Sequence, residues 1–318
     1  LAVPLPESPA RAANQPRAIL LMVLAVTEGG LGYDTRKAAG IYGTYTMSGY
    51  LLCILGGFIA DNFIGARRSV FIGGVIIALG HFTMALNSEI TFFIGLALVA
   101  AGTGLLKPNI STMVGSLYRP TDERRDAGVS IFYMGINIGA FLSPLICGYL
   151  AQSEGWKATL AGWGLDPRTS WHWGFAAAGV GMTLGLVVYV LQRGRLAHVG
   201  NKPAPEADGS RPWGKLGLVL LGSLALITAM WFSDTYKWIV YLLFALQIAL
   251  ILFFAFRPSQ ESKRLAAILV FFFAAEIFWA IFEQTGSSIS LFADRLTRNE
   301  MLGQPFPSSW WQSVNSIW

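Results

Sequence analysis

Gly102-Thr103-Gly104-Leu105-Leu106-Lys107-Pro108-Asn109-Ile110-Ser111 interrupts an apolar run over residues 90–117. About 20 apolar residues cross a bilayer, so this run is long enough to span. Lys107 then lies about ten residues, or ~15 Å, from the nearer end, while its stem reaches only ~6 Å. Snorkelling to the surface fails on that arithmetic. An ammonium at such depth costs at least ~2.5–3.5 kcal/mol, and a residue kept at that cost faces a watery cavity or a partner charge. Pro108 removes one helix hydrogen bond, and Gly102 and Gly104 permit close helix packing.

The rest of the chain has the same character. Of 318 residues 54% are hydrophobic and 13% charged, where a soluble domain carries about 25% charged residues. The net charge of +5 does not argue for nucleic acid, because the basic residues fall in short loops beside apolar spans, where they set orientation. Cys53 and Cys147 both fall inside spans, so neither a disulfide framework nor zinc spacing is present. His81, His172 and His198 are scattered. No cofactor or metal is expected. An embedded enzyme would need a nucleophile or metal set within the spans, and the sequence offers none.

Apolar spans are predicted over 38–60, 70–86, 90–117, 127–151 and 173–191. Ahead of them, 18–28 is too short to cross and breaks into Glu28-Gly29-Gly30-Leu31-Gly32. A polar break inside a first span leaves backbone unsatisfied in lipid. The natural chain is therefore expected to hold further residues between Glu28 and Gly29, and more after Trp318. Residues 4–17 read as a cytoplasmic tail rather than a signal peptide. The stretch 152–171 reads as a polar loop with Trp156, Trp163 and Trp171 near an interface.

After a hydrophilic linker, 193–215, come two spans without a central charge, 216–232 and 238–256. They read as a lipid-facing hairpin without chemistry. A further span, 264–292, carries Glu276, Trp279, Glu283 and Gln284, and 310–315 opens another. The organisation expected is all-α and membrane-embedded. A six-helix half occupies 1–192, the linker 193–215, the hairpin insert 216–256 and the start of a second half 257–318. The excess of Lys and Arg on the tail and alternate loops puts the N-terminus in the cytoplasm.

Four stretches converge on one family. Gly57-x3-Asp61-x3-Gly65-x-Arg67-Arg68 resembles the loop that the major facilitator superfamily places between its second and third helices. Phe132-Tyr133-Met134-Gly135-Ile136-Asn137-Ile138-Gly139 resembles the F-Y-x-x-I-N-x-G signature of the proton-dependent oligopeptide transporter family. Gly104 to Asn109 looks like that family's fourth-helix motif, and Phe278-Trp279-Ala280-Ile281-Phe282-Glu283-Gln284 is similar to its seventh-helix motif. A hairpin insert between helices six and seven is typical of its bacterial members. Of the family's first-helix E-x-x-E-R motif only Glu28 stands here, and the Asn-Pro of helix eight reads Asn315-Ser316.

The resemblance implies two pseudo-symmetric helical halves with substrate bound between them near the midplane. It implies a proton-coupled symporter of di- and tripeptides in the bacterial inner membrane, acting as a monomer. Tyr50, Lys107, Tyr133, Asn137, Trp279, Glu283 and Asn315 are the implied peptide contacts. Lys107 would attract a carboxylate or pair with Glu283, and Glu283 would receive an ammonium or a proton. Glu28, Lys107 and Glu283 are the implied proton-coupling groups. Asp61 and Arg67 are the implied gating residues of the loop. Arg36 and Asp294, at the outer ends of their spans, form a second candidate gate. Another facilitator substrate, nitrate or an organic anion, is the alternative, because Lys107 alone fits any small anion.

Overall fold

The computed structural model describes residues 30–119, 121–203, 211–231, 237–257, 259–301, 303–314 and 316. The predicted segment 18–28, with Glu28, and Asn315 lie outside the described residues, as does the side chain of Asp294.

Helices dominate. They are α1 (Thr35–Ile59), α2 (Ala66–Met84), α3 (Glu89–Ser116), α4 (Arg124–Gln152), α5 (Glu154–Gly162) and α6 (Ser170–Leu191). Then follow α7 (Trp213–Trp231), α8 (Lys237–Ala255), α9 (Gln260–Phe282), α10 (Ser288–Leu296) and α11 (Trp311–Val314). A two-stranded antiparallel hairpin, β1 (Glu300–Met301) with β2 (Gln304–Pro305), lies between the last two. Among the described residues, five segments are long and apolar enough to cross a membrane: 35–64, 89–116, 124–152, 167–191 and 260–290. The protein is a multi-pass helical membrane protein, with fold and class as the sequence implied.

Three predicted details are corrected. The stretch 152–171 contains helix α5, and its tryptophans divide. Trp156 packs edge-on against Trp163 and Trp173, both at 5.6 Å, whereas Trp171 is buried in the core with Met84, Phe92 and Phe175. The tight loop after α1 is a π-helical turn, Ala60–Ile64, closed by Gly65 at φ 82°, a conformation that glycine adopts without strain. The span predicted over 264–292 is broken, since α9 ends at Phe282, a 3-10 turn runs Glu283–Gly286, and α10 starts at Ser288.

Helices α1, α2 and α3 form the tightest part of the molecule, because their glycines meet backbone to backbone. A Cβ on Gly56 would lie 2.5 Å from the Gly104 carbonyl carbon, and one on Gly73 would lie 2.7 Å from the Gly102 carbonyl oxygen. Gly80 and Gly95 interlock likewise between α2 and α3. Small residues let helix backbones approach in lipid, where packing and not water exclusion drives association.

Buried Asn109 ties the three helices together. Its amide donates to Leu105 O at 2.8 Å, to Ser69 Oγ at 3.1 Å and to Gly56 O at 3.3 Å. Pro108 withdraws an N–H from this stretch of α3, and Asn109 supplies polar contacts beside it.

Outside this core, α7 rests on α1 and α8 on α9, and α4 packs against α6. We call the end where α1 starts and α4 finishes the first rim. There Tyr33 donates a hydrogen bond to Glu89, which with burial pushes the phenol up to about 12. The Lys37 ammonium lies 3.6 Å over the same ring.

Candidate functional site

Lys107 projects from the middle of α3, and the residue it meets is Tyr50 of α1. Its ammonium lies 4.1 Å above the Tyr50 ring centroid, a cation–π contact that offsets part of the desolvation of the charge. Tyr50 in turn donates its hydroxyl to Glu283 Oε1 at 2.7 Å. Tyr50 is thus the bridge in a cation–aromatic–carboxylate series. Lys107 and Glu283 make no ion pair among the described residues, so the direct pairing expected from sequence is replaced by contact through Tyr50.

Backbone geometry explains why Glu283 can reach. It caps the C-terminus of α9 at the point where the helix tightens into the 3-10 turn. The break turns the carboxylate toward α1, from residues otherwise more than two hundred positions away. A cavity of about 190 Å³ opens here, lined by Tyr45, Thr46, Tyr50, Thr103, Lys107 and Glu283 among others. Tyr45, Thr46 and Thr103 were not singled out from sequence as contacts. Their signal was present in part, since Tyr45 shares the predicted span of Tyr50. With hydroxyls, one ammonium and one carboxylate, the cavity suits a ligand bearing both charges and hydrogen-bonding groups.

Tyr133 and Asn137 stand apart from this group. They share a face of α4, one turn apart, and line a separate cavity of about 720 Å³ with Ser130, Met134, Phe141 and Ser316. The environment expected for Lys107, with Tyr133 and Asn137 beside it, is therefore divided over two cavities. Trp279 is exposed on α9 and packs its ring edge-on against Phe278 and Phe282.

The residues of the implied gates are placed as follows. Arg67 is held by the linker, donating from Nη1 to Ala197 O at 3.0 Å and Leu196 O at 3.2 Å, with its backbone N–H on Gly200 O. Asp61 makes no ion pair among the described residues and lines a cavity of about 250 Å³ with Thr112, Ser116 and Asn201. The linker is thus not a free tether. Val199 is buried with Val70 and Met113, and Arg211 donates to Asn62 O at 2.6 Å and Pro203 O at 2.9 Å. Arg36 lies in the first turn of α1, and α10 carries Asp294.

Apolar helices with a charged cavity between them have the organisation of a membrane transporter. Comparison makes this specific. The PTR2 profile of the POT family matches residues 67–318, and the chain belongs to the POT family, whose members are transporters. It is 34% identical to "Peptide transporter YePEPT" of Yersinia enterocolitica subsp. palearctica over 95% of its own length and 60% of that protein's. It is 46% identical to a "Di-/tripeptide transporter" of Lactobacillus helveticus over 55% of the chain and 35% of that protein. Among solved structures it superposes on a mutant of peptide transporter POT in complex with alafosfalin, with TM-score 0.74, 35% identity and coverage of 95% of this chain and 61% of that one. The chain thus spans about 60% of the length of such relatives.

Proposed function

We propose that this chain is part of a proton-coupled symporter that imports di- and tripeptides by alternating access. The observation that carries the reading is the Lys107–Tyr50–Glu283 series, which presents an ammonium and a carboxylate from different halves across one cavity. A zwitterionic peptide offers the complementary pair. The relatives named for peptides, and the solved relative holding alafosfalin, support this class of substrate. The hydroxyls of Tyr45, Thr46, Tyr50 and Thr103 add hydrogen bonds that do not select one side chain, which suits a carrier of many sequences.

Proton coupling follows as a competition for the same groups. A proton on Glu283 weakens its claim on the Tyr50 hydroxyl, and a substrate carboxylate on Lys107 draws the ammonium from the Tyr50 ring. Each proton moved inward supplies ~2.3 kcal/mol per 100 mV. The Lys- and Arg-rich loops, opposite the first rim, mark the cytoplasmic side. The described contacts between the halves run from the midplane to the first rim, at Tyr50–Glu283, Gln152–Ser309 and Phe141–Ser313. With that orientation the seam lies on the outer side.

Uptake of labelled dialanine into proteoliposomes, with and without an imposed pH gradient, tests the reading. Gradient-dependent accumulation that unlabelled peptides suppress, and free amino acids and nitrate do not, is the expected result. Suppression by nitrate alone would favour the small-anion alternative.

A further inference from the structure

Among the glycines outside the α1–α3 core that a neighbouring side chain overlaps, Gly286 and Gly148 meet a side chain of the opposite half, whereas Gly128 meets Tyr118 of its own half. A Cβ on Gly286, in the turn that carries Glu283, would overlap the Tyr42 hydroxyl and lie 2.8 Å from Tyr42 Cζ. A Cβ on Gly148, near the end of α4, would overlap the Ser309 hydroxyl and lie 3.4 Å from Ser309 Cβ. The relation is reciprocal, for the first half inserts Tyr42 against a glycine of the second, and the second inserts Ser309 against a glycine of the first. Both contacts lie between the midplane and the first rim. Ser309 also donates to Gln152 Oε1 at 2.9 Å in a buried setting.

We infer that Tyr42–Gly286 and Ser309–Gly148 are a matched pair of knob-and-glycine contacts that seal the two halves at the first rim, and that the first of them also positions Glu283 against Tyr50. This rests on the two-half transport reading and adds to it the residues that set the closed seam. Gly286 lies three residues after Glu283 in one 3-10 turn, so seating Gly286 on Tyr42 fixes where the carboxylate points. A methyl at Gly286 would hold the turn away from α1 and lengthen the Tyr50–Glu283 hydrogen bond. Opening the rim requires both contacts to part, because neither glycine tolerates an intervening atom.

The seam is tested first by cross-linking. In the complete transporter with Cys53 and Cys147 replaced by serine, Gly148→Cys with Ser309→Cys places two Cβ atoms near the ~3.5–4.5 Å separation of a disulfide. Mild oxidation should cross-link them and stop dialanine uptake, and reduction should restore it. Absence of a cross-link in a folded, monodisperse protein would overturn the seam, and so would full uptake by the cross-linked protein.

The positioning role is tested by rescue. Gly286→Ala should lower uptake about tenfold, and adding Tyr42→Leu, which removes the overlapped ring, should return most of it. Wild-type uptake by Gly286→Ala, or no recovery in a double variant of unchanged melting temperature, would overturn this part. Failure of the unsubstituted protein to carry dialanine would instead count against the peptide reading and leave the cross-linking result to decide the seam.

Discussion

Helices α1–α3 and the α7–α8 insert are both apolar, yet they use glycine in opposite ways. In the first group Gly56, Gly73, Gly80, Gly95, Gly102 and Gly104 each touch another helix, and buried Asn109 donates to groups on all three helices. In α7, Gly214, Gly217 and Gly222 have nothing within 4 Å, and Leu218, Leu221 and Leu224 are exposed. The close-packed group carries Lys107 and Tyr50. The insert carries none of the described site residues and lies along the bundle by one face of each helix. A charge in lipid needs a frame that holds its partner in register, whereas a surface facing lipid tails needs only to be apolar.

Substitution can break this contrast or sharpen it. A large effect on the frame is expected from Gly104→Ala, whose new methyl would stand 2.6 Å from Leu52 Cβ and 2.7 Å from Leu52 O. Overpacking of this kind costs roughly 1–3 kcal/mol, read as a fall in melting temperature in detergent together with loss of uptake. Tyr50→Phe keeps the ring beneath Lys107 but removes the donor to Glu283. It should lower gradient-driven uptake by about tenfold, the worth of a hydrogen bond to a charged group, with the melting temperature nearly unchanged.

At the first rim, the phenol of Tyr33 is raised from the usual 10.0 to about 12 by its hydrogen bond to Glu89. Its contribution is complete below pH 10 and is lost as pH rises through the raised value. Tyr33→Phe should therefore flatten a small alkaline fall in melting temperature. The least disturbing change is Gly222→Ala in the insert, which should stabilise by about 0.5–1 kcal/mol, since alanine favours helix and nothing stands in the way. A loss of stability there as large as that of Gly104→Ala would erase the distinction between the two regions.

The sequence shows Lys107 clearly, because depth in a membrane is a one-dimensional quantity that residue counting gives. The spans and their order are legible for the same reason. The break at Glu283–Gly286 was legible in part, since Glu283-Gln284-Thr285-Gly286-Ser287-Ser288 is a polar run inside the 264–292 stretch, but apolar residues on both sides let it be read through as one span. The joining of Tyr50 to Glu283 depends on that break and on helix rotation, neither of which composition records. Tyr133 and Asn137 were grouped with Lys107 through a resemblance, and the helix packing gives them a different cavity. Arg67 was read as a gating residue of the loop, and its hold on Leu196 and Ala197 was not legible because it depends on the linker folding back. Trp171 was read as interfacial beside Trp156 and Trp163, although its neighbours Phe175 and Phe92 draw it inward.

The most direct measurement compares dialanine accumulation by the unsubstituted protein and by Lys107→Ala in proteoliposomes under an imposed inward proton gradient. The account predicts accumulation above the external concentration for the unsubstituted protein and none for the folded variant. Normal uphill accumulation by Lys107→Ala would contradict it.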